Sequence, residues 1–309
     1  MWIVFAVLSA LFAGITAILS KCGVKNTDSD VAAAIRTSFV LVLSWCVAGL
    51  TGEIAGIGEI SAKSFAFLMI SGIATGASWI CYFKALSLGE VSRVTAADKS
   101  SVVLSVLFAM ALFPAERAKW GIKLACLAAV TAGTYLMTGV KKEKRAATAE
   151  SGGAMAGGEE NAPVKNRQTA WLAFALLSAA FAAAASILAK IGIDGVSSNL
   201  ATAIRTCAVL VMAWLIVIFR GKASYVKRVP KKDFLFLALS GVATAASWLC
   251  YYYAIAKGQV SVVVPIDKLS IPVTVLFSYI ALGERLSKKQ AWGLVLLTAG
   301  TLSMAIFAR

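Results

Sequence analysis

Two pairs of charged residues interrupt long apolar stretches of this sequence. Asp267 and Lys268 lie within VVVPIDKLSIPVTVLFSYI (262–280), and Asp98 and Lys99 lie within VTAADKSSVVLSVLFAMAL (94–112). A carboxylate in such a setting can exchange a proton, and an ammonium group can hold an anion. Because a charge at the centre of a bilayer costs at least about 2.5–3.5 kcal/mol, we expect these side chains to face a cavity or a partner.

The composition is that of an integral membrane protein. Hydrophobic residues make up 60% of the 309 residues and charged residues 15%, and the mean hydropathy is +0.82, far from the balance of a soluble domain. Ten apolar blocks are each long enough to cross a hydrocarbon core of about 30 Å. We expect an all-α architecture, because helices satisfy their backbone groups within each span and the alternation of a β-barrel is missing. The predicted spans are 2–20, 32–50, 65–86, 92–113, 119–138, 170–188, 200–219, 233–256, 261–282 and 290–307.

The sequence is a tandem duplication. Adding 169 to a position in the first half as far as Phe108 gives its counterpart, so that AAIRT repeats as TAIRT and SGIATGASWICYFKA as SGVATAASWLCYYYA. After Phe108 the offset is 168, which matches Glu116-Arg117 with Glu284-Arg285. Five helices per half make the second copy enter the membrane from the opposite side, which predicts a 5+5 inverted repeat like those of many secondary transporters. The predicted units are residues 1–140 and 169–309. A flexible charged linker is expected at 141–168.

An arginine in the second helix of each half is the expected partner of each aspartate. Neighbouring helix positions differ by about 100° in direction, so an adjacent Asp and Lys cannot share a face and each needs its own partner. We therefore expect Arg36 to pair with Asp98, and Arg205 with Asp267. Two interpretations remain open: buried ion pairs that only tie helices together, or side chains that line a transport pathway.

The balance of charge within the predicted spans suggests a substrate class. Arg36, Lys84, Lys99, Arg205 and Lys268 outnumber Asp98 and Asp267. A cavity with this surplus favours anionic or zwitterionic solutes over cations. Lys84 lies near the end of its helix, however, where it can also extend to the membrane interface.

Aromatic residues on the third helix of each half are further candidates for the pathway. Residues four apart share a helix face, and aromatic rings are common both in substrate cavities and in interfacial belts. The candidates are Trp79 and Tyr82 in the first half and Trp248, Tyr251 and Tyr252 in the second.

Prolines distinguish the ninth span from the fourth. Pro265 and Pro272 stand where the first half has Ala96 and Val103. Because proline cannot donate the helical hydrogen bond, the sequence predicts a kink around Asp267 in the ninth span alone.

Basic residues predict the orientation. The loops after the first, third, fifth, seventh and ninth spans carry most of the Lys and Arg residues. By the positive-inside rule these loops are cytoplasmic and both termini lie outside.

The chain resembles the EamA-type permeases of the drug/metabolite transporter superfamily. The resemblance rests on the two five-helix halves, the Arg in the second helix, SWxCY in the third, DKxS in the fourth and the ER pair before the fifth. It implies a ten-helix basket that moves small metabolites, often amino acids and often outward. It also implies cytoplasmic termini, contrary to the charge count.

The function expected is therefore a multi-pass transporter of the cell membrane, acting on a small solute. The sequence has no histidine and no HExxH, GxSxG or Walker A string, which argues against an enzyme, a metal site or a bound cofactor. No nucleic-acid module is expected. The transport could be coupled to protons. The alternatives are a passive facilitator or channel and a purely structural protein. A monomer is sufficient for the expected pathway, and a dimer is also open.

Overall fold

The computed structural model describes residues 1–23, 27–88, 94, 97–138, 164–282 and 287–307. Five helices belong to the first half: α1 (Trp2–Gly23), α2 (Ser29–Leu50), α3 (Ala62–Leu88), α4 (Ser101–Leu112) and α5 (Trp120–Thr138). Six belong to the second: α6 (Val164–Gly192), α7 (Ser198–Phe219), α8 (Lys231–Lys257), α9 (Val260–Ile266), α10 (Ser270–Leu282) and α11 (Lys288–Phe307). Short 3₁₀ segments lie at Glu53–Glu59, Pro114–Arg117, Ala223–Arg228 and Asp267–Leu269.

The all-α membrane architecture expected from the sequence is confirmed. Nine segments of the described chain are long and apolar enough to cross a membrane, with α9 and α10 counted as one segment. Helix α4 has only 12 residues, and most of the stretch that precedes Ala97 lies outside the described residues. Most of the predicted linker also lies outside them, but its last five residues, 164–168, form the first turn of α6.

The helices pack in pairs that the repeat makes equivalent. Helix α1 packs against α8 and α3 packs against α6, while α2 packs against α7 and α5 against α11. The Ser9 and Ser247 hydroxyls are 3.2 Å apart, and their counterparts Ser178 and Ser78 are 3.1 Å apart. Each half therefore contacts the other through the same positions, as an internal two-fold axis requires.

Charged contacts show that α2 and α7 run antiparallel. The Asp30 carboxylate near the start of α2 contacts Arg220 just after the end of α7, with 3.0 Å between Oδ2 and Nη1. At the other end, the Glu53 carboxylate accepts hydrogen bonds from Asn199 and from the Leu200 backbone amide. We call the end with Asp30 and Arg220 the basic end and the end with Glu53 the opposite end. The antiparallel pair fits the inverted repeat.

The Asp-Lys pairs lie at helix breaks in both halves. In the second half, α9 gives way to a 3₁₀ turn at Asp267–Leu269 before α10 begins. In the first half, Lys99 and Ser100 form a turn before α4, and both the amide and the hydroxyl of Ser100 donate to the Ala97 carbonyl. The break in the second half follows Pro265, whereas Pro272 lies inside α10. The expectation that only this half is interrupted is wrong. A serine-closed turn interrupts the helix where proline is missing.

Candidate functional site

Four charged side chains lie near one another where the broken helices approach each other. The Lys99 ammonium lies within electrostatic range of Lys268, Asp98 and Asp267. Lys268 Nζ is 3.7 Å from the Asp267 carboxylate. Both of those side chains keep partial exposure, 18% for Lys268 and 28% for Asp267. The helix breaks therefore place two carboxylates and two ammonium groups in one polar region within the bundle.

The two aspartates have different partners. The Ser178 hydroxyl donates a 2.8 Å hydrogen bond to Asp98 Oδ1. Ser9, the counterpart of Ser178, contacts Ser247 through its hydroxyl and accepts a further hydrogen bond at its backbone carbonyl. Within the described part of the chain, Asp267 has only its ion pair with Lys268. Asp267 is thus the less satisfied of the two carboxylates.

The Arg205 guanidinium lies at the junction between the two halves. Its Nε donates to Ser71 Oγ at 2.9 Å, and its Nη2 donates to Thr75 Oγ1 at 2.5 Å, both on α3. Its Cζ atom lies 5.3 Å from the ring centroid of Trp248 and 4.6 Å from that of Tyr252. These distances are typical of cation–π contacts. The residue is only 3% exposed, and its buried Nη1 has no hydrogen-bond partner among the described residues.

The Arg36 guanidinium is held less directly. Its Nη1 donates to Ser20 Oγ at 3.1 Å, and Ser20 in turn lies 2.8 Å from Ser240 Oγ, the counterpart of Ser71. The position equivalent to Ser20 in the second half is Ala189. Arg36 therefore contacts the opposite repeat only through Ser20, whereas Arg205 contacts it directly. The Arg36 Nε is buried without a partner in the described residues.

The expected Arg36–Asp98 and Arg205–Asp267 ion pairs are wrong. Among the residues that the structure describes, both arginines hydrogen bond to hydroxyl groups instead. The cause is close packing across the repeat: a Cβ atom added at Gly72 on α3 would lie 2.6 Å from the Arg205 carbonyl oxygen. Because Gly72 allows α3 to pack closely against α7, the Arg205 guanidinium hydrogen bonds to hydroxyl groups of α3.

Aromatic residues of the second half gather around Arg205. The Tyr251 hydroxyl is 3.3 Å from Ser186 Oγ, and the rings of Tyr251 and Tyr252 meet edge to face at 5.2 Å. The Asp267 carboxylate lies within electrostatic range of both tyrosines. Arg205, Trp248, Tyr251, Tyr252 and Asp267 therefore form one continuous constellation, which we call the Arg205 site.

The aromatic candidates of the first half and Lys84 lie elsewhere. Trp79 packs in an apolar cluster with residues of α2 and α7. Tyr82 packs in another cluster, around Ala85, and its ring meets Phe83 at 5.9 Å. Lys84 is exposed, four residues before the end of α3. This position favours the interpretation that Lys84 extends to the membrane interface over the interpretation that it lines the pathway.

Several hydroxyl groups of the site were absent from the predicted site residues. Ser71 and Thr75 hold Arg205, Ser178 holds Asp98, and Ser186 contacts Tyr251. Ser71 and Thr75 belong to the duplicated string SGIATGAS, so the repeat itself carried a signal for them. No group of His, Cys, Asp and Glu able to hold a metal ion occurs among the described residues.

A polar cavity of about 930 Å³ opens at the opposite end of the bundle. Its walls come from the ends of α6 and α8 and the starts of α3 and α7, and include Lys63, Ser64, Asp194, Ser198 and Tyr253. Arg205 lies seven residues beyond Ser198 on α7, about 10 Å deeper at 1.5 Å per residue. The lining of the cavity includes neither Arg205 nor the four central charges.

Comparison with known proteins identifies the family. The family model described as the EamA-like transporter family matches residues 1–139 and 169–306. The chain belongs to the EamA-like transporter family. It is a multi-pass membrane transporter and not an enzyme, and the resemblance to EamA-type permeases noted from the sequence is confirmed.

Individual relatives agree with the family assignment. A Sinorhizobium sp. protein named "Uncharacterized transporter in cobO 3'region" is 42% identical over 137 residues, which are 44% of this chain and 97% of that protein. "Uncharacterized protein MJ1333.1" of Methanocaldococcus jannaschii is 33% identical over 76 residues, 25% of this chain and 56% of that protein. The Sinorhizobium protein is thus about as long as one EamA repeat.

A solved structure shares the fold. One crystal structure superposes with a TM-score of 0.74 at 15% sequence identity, and the superposition covers 99% of this chain and 98% of the other. At this identity the likeness concerns the fold alone. The arrangement of the helices is therefore that of a fold already seen in a solved structure.

Proposed function

We propose that this EamA-like transporter carries small zwitterionic or anionic metabolites, such as amino acids, out of the cell across the cytoplasmic membrane. The two repeats, 1–140 and 169–309, would alternate access to a central site. The observation that carries the proposal is the buried Nη1 of Arg205, which has no partner among the described residues. A buried guanidinium donor without an acceptor costs free energy, and a carboxylate would satisfy it with a charge-assisted hydrogen bond.

The surroundings of Arg205 support a small organic acid as the bound solute. Trp248 and Tyr252 cover the guanidinium with aromatic faces, which favour contact with the carbon skeleton of a solute. Ser71 and Thr75 occupy two of the guanidinium nitrogen atoms and fix its orientation. The third nitrogen atom, Nη1, is then left for the solute with both of its N–H donors. Asp267 nearby would attract the ammonium group of a zwitterion.

Proton coupling is proposed at Asp267. Its carboxylate is partly exposed and has one ion pair at 3.7 Å, whereas Asp98 is fixed by Ser178. A carboxylate that exchanges protons needs access to water and a modest set of competing donors. Protonation of Asp267 would also weaken its attraction for a cationic group of the solute. Release and proton uptake would thereby be linked.

Alternating access is supported by the symmetry of the contacts between the repeats. Each half has a helix break at its Asp-Lys pair, and the serine contacts between α1 and α8 recur between α6 and α3. An inverted repeat of this kind allows the two halves to exchange conformations around a fixed site. One chain contains both halves, so a monomer is sufficient in this proposal.

The test is flux from proteoliposomes loaded with a mixture of amino acids and small organic acids, with and without a pH gradient. Arg205→Lys keeps the charge but loses the planar fork, and is expected to lower flux of carboxylate solutes at least tenfold. Lys84→Gln is the control, because Lys84 is exposed away from the site. Asp267→Asn is expected to abolish the effect of the gradient. Gradient-independent flux in the native protein would instead indicate a passive facilitator, and unchanged flux in Arg205→Lys would contradict the binding site.

A further inference from the structure

The turn between α8 and α9 is held by charged side chains from both directions. Lys190 Nζ on α6 donates to the carbonyl oxygens of Ile255, Ala256 and Gly258 at 2.6, 3.2 and 2.9 Å. The last carbonyls of a helix have no partners within it and carry partial negative charge. The ammonium group of Lys190 therefore satisfies the end of α8.

A carboxylate from the other repeat satisfies the beginning of α9. Glu116, which follows α4, accepts hydrogen bonds from the backbone amides of Val260 and Ser261 at 2.6 and 3.2 Å. It also accepts a short hydrogen bond from the Ser261 hydroxyl. The first amides of a helix lack partners and carry partial positive charge. Glu116 is only 3% exposed, so these contacts are sheltered from water.

Lys123 completes the contact from the first repeat. Its Nζ lies 3.9 Å from the Glu116 carboxylate and donates at 2.8 Å both to the Glu116 carbonyl and to Gln259 Oε1. Lys123 is fully buried. Because a buried charge that loses its partner is costly, the network resists separation of its members. We call Glu116, Lys123 and Lys190 with the turn at 255–261 the α8–α9 clamp.

The burial of the two half-helices differs on either side of the Asp267–Leu269 break. All seven residues of α9 are buried. Helix α10 exposes large apolar side chains, with Leu276 at 58% and Tyr279 at 60%. Helix α9 is therefore enclosed by protein and clamped at its start, whereas the described protein does not cover the outer face of α10.

We propose that Glu116 and Lys190 are positioning residues that hold α9 stationary, so that bending during transport is confined to the Asp267–Leu269 break and to α10. Glu116 contacts the start of α9, a helix of two turns that ends directly before Asp267. By holding the start of this short helix, Glu116 determines where the Asp267 carboxylate lies. The role of the clamp in transport rests on the proposed function of Asp267. The contacts that form the clamp are independent of that proposal.

The first test is hydrogen–deuterium exchange of the detergent-solubilised full-length protein. In Glu116→Gln, the peptide covering 260–267 is expected to exchange at least tenfold faster, while peptides from α2 and α7 keep their native rates. Glu59→Gln removes an exposed glutamate at the same end of the bundle and is expected to change nothing. Unchanged exchange at 260–267, or an equal gain in every helix, would overturn the proposal.

A milder variant covers the case in which Glu116→Gln does not fold. Ser261→Ala removes one donor and keeps the charges, and a local increase in exchange of about twofold to threefold is expected from the loss of one hydrogen bond. No change at 260–267 in Ser261→Ala would again count against the clamp. Exchange needs no substrate, so a failed flux experiment leaves this result standing.

The second readout separates positioning from general stability. If Glu116 places Asp267, the pH midpoint of gradient-driven flux should move in Glu116→Gln, because the carboxylate is displaced from Lys268. A variant that only lowers the amount of folded protein would reduce the flux at every pH and leave the midpoint unchanged. A native midpoint in a folded Glu116→Gln protein would therefore reject the positioning role.

Discussion

The Ser178 hydroxyl donates a 2.8 Å hydrogen bond to the Asp98 carboxylate, across the boundary between the two repeats. Its counterpart Ser9 makes no such bond to Asp267 among the described residues, although each of the two serines contacts a serine of the opposite repeat. Ser178 and Ser9 are thus equivalent in the repeat but differ in their contact with an aspartate. Substitution of each serine gives a matched comparison.

Ser178→Ala should destabilise the protein by about 1 kcal/mol, because a partly buried carboxylate loses a donor inside the membrane domain. Ser9→Ala should cost less, since only a contact between two hydroxyls is lost. Reversible unfolding in mixed detergent micelles measures both. Equal losses in the two variants would contradict the assigned asymmetry.

Gly72→Ala should separate α3 from α7. The added Cβ would lie 2.6 Å from both the Ala208 Cβ and the Arg205 carbonyl oxygen, and backbone cannot yield as a flexible side chain does. Overpacking of this kind costs about 1–3 kcal/mol. Gly56→Ala, where a Cβ meets nothing within 4 Å, is the control. We expect a lower melting temperature and weaker flux in Gly72→Ala only.

The ion cluster at the basic end should show a defined pH dependence. Burial alone would raise the pKa of Asp28, but hydrogen bonds from the Lys222 ammonium and from the amides of Asp30 and Val31 outweigh it and lower this pKa. Burial would lower the pKa of Lys222, yet hydrogen bonds to Asp28 and Asp30 raise it above its usual value. The contribution of Asp28 is therefore lost as pH falls through its depressed pKa, and that of Lys222 as pH rises through its raised one.

Lys222→Met tests this dependence. The native protein should exceed the variant by about 1 kcal/mol between roughly pH 5 and 9, given partly exposed side chains. The difference should shrink as the pH falls from the ordinary pKa of an aspartate, about 3.9, through the depressed pKa of Asp28. Arg220, 3.0 Å from Asp30, remains as that carboxylate's partner in the variant. Thermal unfolding at several pH values measures the difference, and a pH-independent gap would contradict the assignment.

The topology of the chain is testable through two equivalent loops. Residues 220–232 contain six Lys and Arg residues, whereas their counterparts 51–63 contain one. The positive-inside rule predicts that 220–232 is cytoplasmic. In a cysteine-free background, a cysteine at Ser224 should be protected in intact cells from a thiol reagent that cannot cross the membrane, and one at Gly58 should react. The reverse pattern would support cytoplasmic termini, as the family resemblance implies.

The sequence predicted the spans and the inverted repeat because hydropathy and self-similarity are properties of whole segments. It also placed Arg205 and Asp267 in the membrane, but not their partners. Partner choice depends on how closely helices approach, and the approach at Gly72 turned Arg205 toward Ser71. Likewise, an interrupted helix was expected only in the second half, from Pro265 and Pro272, whereas in the first half the Ser100 hydroxyl closes a turn. The periodic pattern of apolar residues does not predict such local competition for hydrogen bonds.

The reciprocal serine contacts of α1 with α8 and of α6 with α3 carry a consequence for the history of the chain. They are the contacts that two copies of one five-helix protein, inserted in opposite orientations, would make with each other. In such a homodimer every mutation appears at both sites at once. Fusion of the two copies into one gene removes that constraint, and divergence follows: Tyr252 faces Arg205 where the other half has Phe83, and Ser20 supports Arg36 where the other half has Ala189. Fusion would thus allow one half to specialise in the proposed solute binding while the other keeps a structural role.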